Sequence, residues 1–175
     1  MIAFGRSTLM VAVIDLFIQS QWLVKSQAMS LGGGDGRTIW YDLQRPRGQA
    51  FYLASYNIDT GIRKWIHLER SQWSIHFNVS SDGVLFCGDG GDYLQVAMSH
   101  DGQWIELFQA VPLIGEDMTG PKGMIHSGYF NSQHLVNLSK QNWKLEPNVR
   151  FSPDHKYVIF TSNMFGDSYL FAVEI

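Results

Sequence analysis

Cysteine is nearly missing from this chain. Its single cysteine, Cys87, cannot close an intrachain disulfide or build a thiolate metal cluster, and it reads as a small apolar packing residue. Concentrated basic charge is missing too: 13 Lys and Arg stand against 16 Asp and Glu, for a net charge of -3, and no basic run occurs. A nucleic-acid backbone and an anionic membrane surface are therefore not expected as partners. Long apolar runs are scarce. The most apolar stretch near the start, Leu9 to Ile18, is ten residues interrupted by Asp15, too short to span a bilayer. Few stretches repeat with a helical period, which argues against a helical protein.

Aromatic residues are what the chain has in quantity. Six Trp, seven Tyr and eleven Phe fall mainly in short runs beside Gly, Asp, Asn and Ser turns, the composition of a β protein whose strands carry aromatics. The 175 residues suffice for one core. Residues 1–31 form a divergent segment that fits this pattern poorly. Arg6 ahead of the apolar run, and Ser26-Gln27-Ala28 as a small-residue site, allow a signal peptide, although the polar stretch from Gln19 to Gln27 is long for one. The preferred reading is a buried strand or short helix, a remnant of an earlier repeat.

From residue 32 to 175 one turn unit recurs: GGDGRTIWYDL from Gly33, SSDGVLFCGDG from Ser80, SHDGQWIELF from Ser99 and SPDHKYVIFTS from Ser152. The wider gaps between these units approximate one four-stranded propeller blade, about 40 to 50 residues. The expected fold is an all-β, partial β-propeller of about three to four blades. Strands are expected over Thr38–Leu43, Ala50–Asn57 and Arg63–Glu69 as a meander, then Trp73–Val79, Val84–Cys87, Leu94–Ser99 and Gln103–Phe108. Ala110 to Gly128, with Pro112, Pro121 and no sustained period, reads as a long surface excursion. His134–Ser139, Asn148–Ser152, Tyr157–Ser162 and Ser168–Val173 supply the last strands.

Taken in order, TIWYDLQRPRG, WSIHFNVSSDG, LFCGDGGD, DGQWIELF, LEPNVRFSPD and SNMFGDSYLFAVEI resemble the C-terminal part of the oligogalacturonate lyases, over roughly Gly33 to Ile175. That resemblance implies a seven-bladed β-propeller architecture. It also implies a cytoplasmic enzyme of pectin breakdown that uses manganese, or another divalent cation, to cleave short galacturonate oligomers by β-elimination. Such chemistry needs a cation to neutralise the carboxylate beside the acidic carbon and a base set against that carbon. His76, in WSIHFN, is the implied metal-binding histidine, against the plainer reading of a strand histidine satisfied by a hydrogen bond. Glu146 and Asn148 stand where the family carries a His-Pro-His step, and Trp143 where it carries a glutamine. Glu146 and Asn148 are oxygen donors suited to a hard cation; equally, Glu146-Pro147-Asn148 reads as a turn before a strand.

The family's base position is occupied by Met29, whose thioether cannot accept a proton, so weak or absent lyase activity is expected. Arg45 and Arg47 are candidates for pairing with uronate carboxylates, with solvated loop charge as the alternative. Asp89 and Asp92 read either as turn residues or as ligands to a cation or sugar hydroxyls. Trp40, Trp65, Trp73 and Trp104 read as core more than as sugar platforms, and His67, His100, His126, His134 and His155 have no paired spacing. Two classes of function stay open: a lyase-like enzyme, and a non-catalytic propeller fragment that binds sugars or a protein partner. Open blade edges imply self-association.

Overall fold

The computed structural model describes residues 36–95, 103–113 and 125–175. These residues form ten strands and one short 3-10 turn, Arg70–Gln72, with no α-helix among them. The strands fall into three successive units. The first is β1 (Thr38–Gln44), β2 (Phe51–Asn57) and β3 (Arg63–Leu68), an antiparallel meander as its alternation predicts. The second is β4 (Phe77–Val79), β5 (Leu85–Gly88), β6 (Trp104–Pro112) and β7 (Ile125–Asn137), also antiparallel throughout. The third is β8 (Arg150–Phe151), β9 (Tyr157–Phe165) and β10 (Asp167–Glu174). β3 and β7 pair in parallel from Arg63↔Ile125 to His67↔Tyr129, so the first two units share one seven-stranded sheet.

The recurring turn signature has a local cause. Ser80 Oγ donates to Asp82 Oδ1 and accepts from Leu85 N, while Val84 N donates to Asp82 Oδ1. The same bonds recur at Ser152, Asp154, Lys156 and Tyr157. These short side chains satisfy backbone groups that the reversal leaves unpaired. Gly83 holds φ 71° at the corner and His155 holds φ 56° at the equivalent one. His155 uses that strained placement to accept a hydrogen bond from Ser81 N at 3.2 Å, which ties the two turns together.

The apolar cores lie where the units fold against one another. Trp40, Phe51, Leu53, Ile66, Leu68, Trp73, Phe77, Phe86, Phe108 and Phe130 fill the space between the first and second. Their rings meet edge to face, as Trp40 and Phe86 do at 4.7 Å and Phe51 and Trp73 at 5.4 Å, a geometry that adds to simple burial. Cys87, Ile105, Leu138, Val149, Val158 and Phe160 form a second core between the second and third units. Burial pushes the Cys87 thiol far above its usual range, which fits the packing role.

Three strand expectations need correction. The strand anticipated from Trp73 begins only at Phe77, because residues 73–76 spend their polar groups elsewhere. Trp73 Nε1 donates to Leu68 O, Ile75 N to Gly90 O, and His76 N to the Asp89 carboxylate. Residues 110–128 are strand at both ends, β6 reaching Pro112 and β7 starting at Ile125. Gly128, which looked like a loop residue, lies under Val111, whose carbonyl oxygen would stand 2.6 Å from an added Cβ. Leu94 stands in a turn, and the remainder of the strand expected there lies outside the described residues.

Candidate functional site

The strand end Gly88-Asp89 meets the segment before β4 and the segment before β8 where the second and third units pack together. Asp89 is wholly buried. Its Oδ1 accepts from His76 N at 2.8 Å, and its Oδ2 accepts from Asn148 N at 3.1 Å and lies 2.8 Å from His76 Nδ1. One carboxylate therefore fixes both the backbone and the ring of His76 and anchors the chain that carries Asn148. Asn148 has φ 53°, a conformation in which asparagine is enriched, and its side-chain amide donates to Glu146 O at 2.8 Å. With Nδ1 held by Asp89, His76 turns Nε2 toward Glu146, whose Oε2 is 3.6 Å away.

The electrostatics follow from this arrangement. The hydrogen bond that the His76 ring donates to Asp89 raises the His76 pKa, with burial opposing and the nearby Asp89 and Glu146 charges assisting. Burial pushes the Asp89 carboxyl above the usual carboxylate range, against the hydrogen bonds of His76 and Asn148 that pull it down. The imidazole is partly buried and Glu146 is exposed, so the pair is open to solvent.

His76, Glu146 and Asn148, distant in sequence, are thus brought to one place. The residue that links His76 to Asn148, Asp89, has the sequence signature of a turn residue, and its one further signal is its position one strand length after the His76 motif. An imidazole oriented by a buried carboxylate is how metal-binding histidines are commonly held, and the imidazole with an adjacent carboxylate suits a borderline or hard divalent cation. As a complete cage the site falls short. Among the described residues no group of three or more His, Cys, Asp and Glu is placed to hold a metal ion.

Arg45 and Arg47 lie in the exposed β1–β2 connection on the first unit, on a unit that contributes nothing to the His76 cluster. Met29 lies outside the described residues. Trp40 and Trp73 are core residues, Trp65 packs against Tyr52 at 5.7 Å, and Trp104 stacks on His134 at 4.4 Å.

No family model matches the chain, and no curated protein does. Among solved structures, an oligogalacturonate lyase from Vibrio parahaemolyticus superposes with a TM-score of 0.59 at 18% identity, over 86% of this chain and 36% of that one. TolB from Acinetobacter baumannii aligns with a TM-score of 0.49 at 17% identity, over 81% of this chain and 28% of that one. The chain therefore spans about a third of the length of the lyase it is similar to. At this identity the likeness establishes the fold: the chain is an all-β protein of β-propeller type.

Proposed function

We propose that this chain is an oligogalacturonate lyase-like propeller module in which His76, Glu146 and Asn148 hold a divalent cation such as manganese and present it to a short galacturonate oligomer. The observation that carries the reading is that buried Asp89 binds the ring of His76 and the backbone of Asn148, while His76 Nε2 is directed at Glu146. A cation at that place would neutralise the uronate carboxylate and acidify the adjacent carbon for β-elimination. Arg45 and Arg47 are proposed as secondary contacts for further carboxylates. Because Met29 stands at the expected base position, elimination by this chain is slow or absent. Function in the cytoplasm and association between copies through open sheet edges belong to the same reading.

The second reading is a non-catalytic propeller piece that binds a sugar or a protein through the same cleft. It is favoured by the small number of ligating side chains at the site.

Titration calorimetry with manganese, followed by a galacturonate dimer, tests the proposal on the protein and on His76→Ala. The expected result is a metal-binding heat that the substitution abolishes and a dimer affinity that depends on the metal. A protein that binds the dimer equally well without metal supports the second reading, and one that binds neither overturns both.

A further inference from the structure

A second carboxylate–imidazole pair is built into the opposite face of the same sheet. Glu106 lies on β6 and is 1% exposed. Its strand neighbours in register are Gly88 on β5 and His134 on β7. The β6–β7 register slips between Ile105 and Glu106, and a bulge of this kind re-aims the side chains beside it. His134 Nε2 lies 3.4 Å from Glu106 Oε1, and Trp104 covers the imidazole in a parallel stack at 4.4 Å.

The carboxyl is tethered on its other side through Ser132. Gln72 Nε2 donates to Ser132 Oγ at 3.0 Å and to Phe130 O at 3.1 Å, which leaves the serine proton for Glu106. That hydrogen bond holds the Glu106 pKa down, but burial outweighs it and pushes the value up to about 7. Among the described residues, buried Glu106 Oε2 finds no hydrogen-bond partner. β5 sets only a glycine against the carboxyl, the segment before β4 sets Ser74 over that glycine, and β6 itself flanks it with Trp104 and Phe108. His134 on β7 is the titratable group that faces it among these contacts.

The pair also occupies a mechanically sensitive place. β7 ends at Asn137, and Leu138 N then donates to Gln103 O, closing the hairpin end. Gln141 N donates to Leu138 O, Gln141 Nε2 to Leu145 O, and Asn148 N to Asp89. These bonds tie the end of β7 to the chain as far as Leu145, next to Glu146, while Asn148 is held separately by Asp89.

We propose that Glu106 and His134 form a proton-operated latch on the β6–β7 hairpin end, which sets how firmly segment 138–148 holds Glu146 and Asn148 in the cleft. With Glu106 protonated, the carboxyl is neutral and its buried site is tolerated. On ionisation the bare Oε2 becomes a buried charge that burial disfavours, leaving the His134 imidazole as its counterpart. The sign follows from linkage. A carboxyl whose folded pKa is raised binds more protons in the folded state, so stability is full below its unfolded value and declines as pH rises through the folded one. The latch is therefore tightest below the ordinary glutamate value of 4.5, loosens as pH rises from there, and is fully loose above about 7.

The test is carbon-detected NMR titration of the glutamate side chains of the whole chain, together with amide hydrogen exchange of residues 137–148 corrected for the intrinsic effect of pH. The expected result is a Glu106 carboxyl midpoint near 7, against 4.5 for the ordinary group, with protection of 137–148 falling between these two values and levelling off above the upper one. In Glu106→Gln, a neutral near-isostere, protection should lose that step. A midpoint in the ordinary glutamate range overturns the proposal. So does a neutral midpoint with unchanged exchange in 137–148, which would leave a perturbed acid that moves nothing. Neither readout requires metal or sugar binding at the cleft.

Discussion

Asp89 shows how a single buried side chain organises residues that the sequence scatters. Its two oxygens receive His76 N, Asn148 N and the His76 ring. Asp89→Ala would leave two backbone donors and an imidazole nitrogen without their partner. Loss of such a buried, charge-assisted acceptor costs about 2 to 4 kcal/mol. Urea unfolding should show a drop of that size in midpoint stability, and a loss below about 1 kcal/mol would mean that the carboxylate does not hold the cleft together. His76 was visible in the sequence because it stands inside a recognisable motif. Asp89 was not, because an aspartate between glycines has the local signature of a turn. Only the folded chain reveals that the side chain points inward.

Among the elements, the strands with alternating burial were the readable ones. β1, β2, β3 and β9 lie close to where apolar alternation puts them, and the repeated Ser-x-Asp turns mark real reversals. The first half of β7 carries no strand signal in the sequence, because its glycine and polar residues break the period. At Gly128 the glycine is demanded by close approach of β6 and not by a turn, since its added Cβ would meet the Val111 carbonyl oxygen at 2.6 Å and Ile66 Cδ1 at 3.1 Å. A backbone oxygen paired in a sheet cannot step aside as a side chain can. Gly128→Ala is thus expected to destabilise the fold by about 1 to 3 kcal/mol through overpacking, measurable by thermal or urea unfolding. An unchanged midpoint would show that the two strands separate there without cost. The site was less legible than the strands, because Glu146 and Asn148 reach His76 only through a connection whose path is set by tertiary contacts.

At the scale of the molecule, the described residues leave one sheet edge and its apolar side chains open to solvent. β10 is the outer strand of the third unit, and Phe165 and Leu170 beside its turn and on its face are each 73% exposed. If copies associate through this edge, sedimentation velocity should resolve species larger than the monomer, and Leu170→Lys should shift the distribution back toward it. Because the residue is exposed, the substitution should change unfolding by no more than about 0.5 kcal/mol. A strictly monomeric parent protein at high concentration would sink the idea. The parallel pairing of β3 with β7 carries a consequence in time. Its partners lie about 60 residues apart along the chain, a long loop to close before any reward is gained. The first meander can form early from neighbouring strands, but its β3 edge must then wait for β7. During synthesis that edge is the last part of the large sheet to find its mate, and the interval before it does is when this chain is most exposed to mispairing with another.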